Sequence, residues 1–168
     1  MVRQIRCCAL VALMAIIGAG VVSPAAAQQA SAPIRKHVIS ANPFGLLLEF
    51  FNAEYERVVS TSSTAGIGGS TITSDNDRYV NVDAFWRYYP QKVPNPLNGW
   101  AFGVKVGVTS VDQESYLGAG FDVNRSWLLG QNDNFYVGLG FGLKRIIGND
   151  TGLQFIPTFR IINVGFAF

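Results

Sequence analysis

The sequence predicts an all-β fold: an eight-stranded antiparallel transmembrane β-barrel of up-and-down meander topology, following a cleaved export signal. Three observations predict it. An export signal opens the chain, large apolar residues then alternate with small or polar ones at period two, and this alternation runs to the final residue, Phe168. A soluble domain rarely stops on an amphipathic strand that ends in an aromatic ring. Charged residues are also only 14% of the chain, against roughly 25% in ordinary globular domains.

Met1 to Ala27 has the three parts of a secretory signal: Arg3 and Arg6 as a basic region, Ala9 to Val22 as an apolar run, and Ala25-Ala26-Ala27 as a small-residue cleavage site. The apolar run is too short to cross a bilayer as a helix, which needs roughly 20 residues. Cys7 and Cys8 precede that run and belong to the signal, so the mature chain has no thiol site and no disulfide framework. Removing Arg3 and Arg6 from thirteen Lys and Arg leaves eleven cations against eleven carboxylates. With no net positive charge there is no nucleic-acid footprint. Residues 28–37 read as a flexible leader rich in Gln, Ala and Ser, and residues 38–168 as one barrel domain.

The first strands are the hardest to place. Val38 to Val59 is about twice the 9–11 residues that cross a bilayer as one tilted strand, so a break near Glu49 and Phe50 is expected although no Gly or Asn-Gly pair marks it. That break makes eight strands, and an even number returns both termini to one side. Gly-rich Thr64 to Thr73 follows as strand three. Tyr79 to Tyr89 sets Val80, Val82, Ala84, Trp86 and Tyr88 against Asn81, Asp83, Phe85 and Arg87. Trp100 to Thr109 sets Trp100, Phe102, Val104, Val106 and Val108 against Ala101, Gly103, Lys105, Gly107 and Thr109. Tyr116 to Leu129 places Leu117, Ala119, Phe121, Val123 and Trp127 on one face, and Phe135 to Lys144 does the same with Phe135, Val137, Leu139, Phe141 and Leu143. In the last strand, Phe155 to Phe168, the expected outer row is Ile162, Val164, Phe166 and Phe168, opposite Asn163, Gly165 and Ala167.

Two kinds of barrel share this periodicity, with inverted faces. In a soluble barrel the large apolar residues point inward and the second face is solvated. Here the second face is mostly Gly, Ala, Asn and Tyr with isolated charges, a poor water-facing surface but a suitable narrow lumen, because eight strands leave room only for side chains. With both termini on the periplasmic side, alternate strand ends hold Tyr88 and Tyr89, Trp100, Trp127, Phe135 and Tyr136, Phe166 and Phe168. That clustering predicts one belt of rings at one membrane interface.

The runs Asn42-Pro43-Phe44-Gly45-Leu46-Leu47-Leu48 and Asn52-Ala53-Glu54-Tyr55-Glu56-Arg57, the triplet Arg87-Tyr88-Tyr89 and the terminal Gly165-Phe166-Ala167-Phe168 resemble the small outer-membrane β-barrel domain proteins of Gram-negative bacteria. These are similar in architecture to the OmpA and OmpW barrels. The resemblance covers the mature chain and implies residence in the bacterial outer membrane, with outer-membrane lipids, lipopolysaccharide and the barrel-assembly machinery as partners. It makes Phe166 and Phe168 the assembly signal, with a departure at Asn163, where such strands often carry Gly.

Chemistry has to come from the inward face, where Glu54, Glu56, Asp83 and Asp122 alternate with Arg87, Lys105 and Lys144. Near-balance of sign predicts a compensated ion-pair network filling the lumen, since an unpaired ion in a poorly hydrated interior costs several kcal/mol. A narrow small-solute channel is the second reading and a lipid-modifying barrel enzyme a distant third. No catalytic, metal or cofactor residues are expected. The lone histidine, His37, sits at the leader's edge as a solvent-exposed residue without a nucleophile to serve, and Gly138-Leu139-Gly140-Phe141-Gly142 lies inside a strand instead of opening a helix. The far turns carry Asp75, Asp77, Asp112, Glu114 and Asp150, expected to be solvated turn residues. The Pro-rich stretch Gln91 to Asn98 is expected to be a rigid periplasmic turn.

Overall fold

Period-two alternation produces eight strands that close on themselves, as a computed structural model describing residues 34–44, 50–74, 77–91, 95–111, 114–147 and 155–168 shows. The strands are β1 (His37–Ala41), β2 (Phe50–Ser60), β3 (Ser63–Ser74), β4 (Asp77–Tyr88), β5 (Gly99–Val111), β6 (Glu114–Leu129), β7 (Phe135–Ile147) and β8 (Phe155–Ala167). Each pairs antiparallel with its chain neighbour. β1 returns to β8 from Val38 opposite Ala167 to Ala41 opposite Val164, so no lone edge is left along that stretch. The expected signal, the leader as far as Pro33, and Asp75, Asp112 and Asp150 lie outside the described residues.

The break in the first long segment opens earlier than expected, and residues 45–49 lie outside the described residues. β1 ends at Ala41, and Asn42-Pro43 starts the turn: Asn42 Oδ1 accepts a hydrogen bond from Phe44 N at 2.9 Å, while Asn42 N still donates to Asn52 O at 3.0 Å. Proline cannot donate to a ladder and Asn caps its own turn, so Asn-Pro is the turn signal that a search for Gly overlooks. β2 does begin at Phe50.

β8 departs from its expected single alternation. Ile162 has φ of 45°, a left-handed conformation rare for a β-branched residue, and there the β7–β8 register slips. Gly138 faces Asn163 while Gly140 faces Arg160, so β8 uses one residue more than β7 between these pairs, a β-bulge. Phe155, Phe159 and Ile161 are exposed on the outer wall before the bulge, and Phe166 and Phe168 after it. The bulge shifts the outer row from odd to even positions and removes Ile162 from the row it was expected to head.

The finished wall is inside out relative to a soluble protein. Ile67, Val82, Val104 and Phe166 are each more than half exposed, while Arg87, Lys144 and Glu56 are at most 2% exposed. The interior divides into a central layer of charge and, at the mouth where β1 starts and β8 ends, a small apolar cluster.

Candidate functional site in the lumen

Arg87 is the hub of the charge layer. Its Nη1 reaches Glu54 and Glu56, each at 2.9 Å, and its Nη2 reaches Asp122 at 3.1 Å. Three strands therefore supply carboxylates or cation to one knot: β2 both glutamates, β4 the guanidinium, β6 the aspartate. The fork of Arg suits this task because its planar donors address several carboxylates at once. Thr64 Oγ1 and Tyr89 Oη both donate to Glu56 Oε1, at 2.5 and 2.8 Å, and Asn124 Nδ2 donates to Asp122 Oδ1 at 2.8 Å. Such close satisfaction is what makes buried charge tolerable. Two glycines make the room: a Cβ on Gly103 would collide with Asp122 and Arg87, and one on Gly66 with the Phe85 ring, over which Arg87 Cζ stacks at 3.9 Å.

Lys144 pairs separately with Asp83, and Lys105 bonds to Thr158 Oγ1. Among the described residues Lys105 makes no ion pair. The sequence reading missed a fourth inward cation, Arg160, whose Nη2 lies 3.2 Å from Glu54. Counting back from Phe168 puts Arg160 in the lipid-facing row; the bulge at Ile162 turns it inward. A signal was present, since Phe155, Pro157, Phe159 and Ile161 alternate with Ile156, Thr158 and Arg160 in the opposite phase to the chain end. With Arg160 counted, four carboxylates face four cations. Among the described residues, Glu54, Asp83, Lys105, Asp122 and Arg160 border a cavity of about 50 Å³, room for a few water molecules.

Below the charge layer, Val38, Leu97, Leu128, Tyr136 and Ala167 form the apolar cluster, with Val58 against it. One correction concerns this mouth. Tyr89 and Tyr136, expected in the interfacial belt, are 1% and 0% exposed and face the lumen. In the Pro-rich connection, Leu97 is fully buried and Asn95 nearly so.

Tyr88, Trp100 and Phe135 remain exposed on the outer wall and Trp127 is half-buried there, 5.1 Å from the guanidinium of Arg125. Phe166 and Phe168 are exposed and stack at 6.4 Å. Phe168 also closes the barrel through its backbone: its N donates to His37 O and its O accepts from His37 N, both at 2.9 Å. His37 is not the free solvent residue expected. Its ring is half-buried, stacked on Phe168 at 5.3 Å, with Nδ1 2.7 Å from the Tyr55 hydroxyl.

The class that the fold defines is a closed, eight-stranded antiparallel β-barrel of meander topology with polar and charged side chains turned inward. The structure is similar to the crystal structure of the N-terminal β-barrel domain of Pseudomonas aeruginosa OprF, with a TM-score of 0.51 and 11% identity over 80% of this chain and 98% of that one. No family model matches the sequence, and no curated protein does.

Proposed function

We propose that this chain is an integral protein of the bacterial outer membrane with a structural, envelope-interacting role and a lumen largely plugged by compensated charge. The observation that carries the reading is the inverted burial: an apolar outer wall demands lipid, and a lumen whose charges are spent on one another offers little to a solute. The cavity of about 50 Å³ has room for a few water molecules. The reading includes cleavage after Ala27, insertion by the barrel-assembly machinery through the terminal Phe168, lipid and lipopolysaccharide as the surrounding partners, and no enzymatic role.

One observation favours a narrow channel instead: Lys105, bonded to a hydroxyl, leaves a cation facing the cavity. Two measurements separate the readings. The structural barrel fractionates with the outer membrane, shifts mobility on heating, and is silent in planar bilayers. Steady ion-selective openings of the wild type would establish the channel, and recovery in the soluble periplasm without a heat shift would remove both.

A further inference from the structure

We propose that residues 95–98, the described stretch leading into β5, are a built-in stopper, closing the mouth where β1 starts and β8 ends independently of the charge layer, so that the barrel is shut twice. This rests on the closed-lumen reading and adds to it a second barrier of different chemistry.

Three connections lie at this end of the barrel, and they behave differently. Thr61 and Ser62 join β2 to β3 at the surface, and Gly130, Gln131 and Asn132 between β6 and β7 are exposed. The described end of the β4–β5 connection, residues 95–98, instead bends inward. Asn95, Pro96 and Leu97 are buried, and Leu97 O accepts a hydrogen bond of 2.8 Å from Ser126 Oγ on the inner face of β6. Asn95 shapes the turn from within, accepting from Leu97 N through its side chain and from Asn98 N through its carbonyl, both at 3.1 Å. A turn whose sole task is to join two strands has no use for a fully buried leucine. In the apolar cluster, Val38, Val58, Leu128, Tyr136 and Ala167 come from the strands or their last residues, and among the described residues only Leu97 is delivered by a turn.

The two barriers exclude solutes for different reasons. The charge layer fills the lumen with side chains that hold one another, and loosening it admits water. The mouth is an apolar constriction, which stays dry and imposes a desolvation penalty on any ion that enters. Removing Arg87 leaves the second obstacle in place, and dislodging Leu97 leaves the first.

The test uses the refolded barrel in planar bilayers. In Leu97→Asp, a lone carboxylate cannot remain in the apolar cluster, so Leu97's segment leaves the mouth while the strand ladders persist. The expected result is no current above background for wild type, Leu97→Asp or Arg87→Ala, and discrete openings for the double variant. If the aspartate variant does not fold, as judged by heat-modifiable mobility, Leu97→Gly takes its place with the same criteria. In detergent, a Leu97→Cys thiol in a background lacking Cys7 and Cys8 should react with a small maleimide far more slowly than one at exposed Gln91. Either single variant conducting as well as the double overturns the stopper, as does a silent double variant or equal reactivity at the two thiols. Conduction by the wild type overturns the closed-lumen reading itself.

Discussion

The charge layer and the apolar mouth lie in the same lumen and are built by opposite routes. Glu54, Glu56, Asp122 and Lys144 sit inside strands and Arg87 one residue before the end of β4, and each faces inward because the pleat alternates. The mouth gathers a residue near the start of β1, another at the end of β8, the ends of β6 and β7, and a leucine from a turn. One layer is held by directed, charge-assisted bonds and the other by burial. The difference teaches that a barrel's centre is specified by strand periodicity, while its mouth depends on where the chain goes after leaving a strand.

Four substitutions separate the layers, from the largest expected effect downward. Arg87→Ala removes the cation from three carboxylates and should destabilise the barrel by about 3–5 kcal/mol, as breaking a buried ion pair does elsewhere. Urea unfolding in lipid vesicles measures it, and a loss near zero would mean that the carboxylates are hydrated rather than paired. Leu97→Ala should cost about 2–3 kcal/mol in the same assay, at the lower end for a buried leucine because a turn can settle toward the gap. A cost matching Arg87→Ala would erase the distinction between the layers.

Smaller changes sharpen the boundary, which runs through two tyrosines. Tyr89→Phe removes the donor to Glu56 and should cost about 1.5–2 kcal/mol, the range for a hydrogen bond to a charged group. Tyr136→Phe should change stability by less than about 0.5 kcal/mol, since its hydroxyl has no protein partner among the described residues and its ring supplies the burial. Equal losses for both would show that Tyr136 belongs to the charge layer after all.

Much of this was legible in the residues. Seven of the eight inward charges among the described residues follow from alternation, and the count of eight strands from alternation together with the length of Val38 to Val59. Arg160 was lost because one extra residue at Ile162 reverses every later facing, and parity counted from the end cannot cross a bulge. Tyr89 and Tyr136 were misplaced for a related reason: proximity to a strand end indicates depth along the barrel, while facing decides whether a ring meets lipid or lumen.

The sequence by itself determined that the chain forms strands, that large apolar side chains share one wall, and that carboxylates and cations share the other. These are local properties, written at spacing two by the pleat. Only the tertiary structure decided which charges meet, that Arg87 gathers Glu54, Glu56 and Asp122, that Arg160 joins them, and that Leu97 enters the mouth. Partners across a closed barrel depend on the register between strands, on a bulge, and on the path of a turn. Each is settled by many residues acting together across the closed sheet, and no single stretch of sequence carries it.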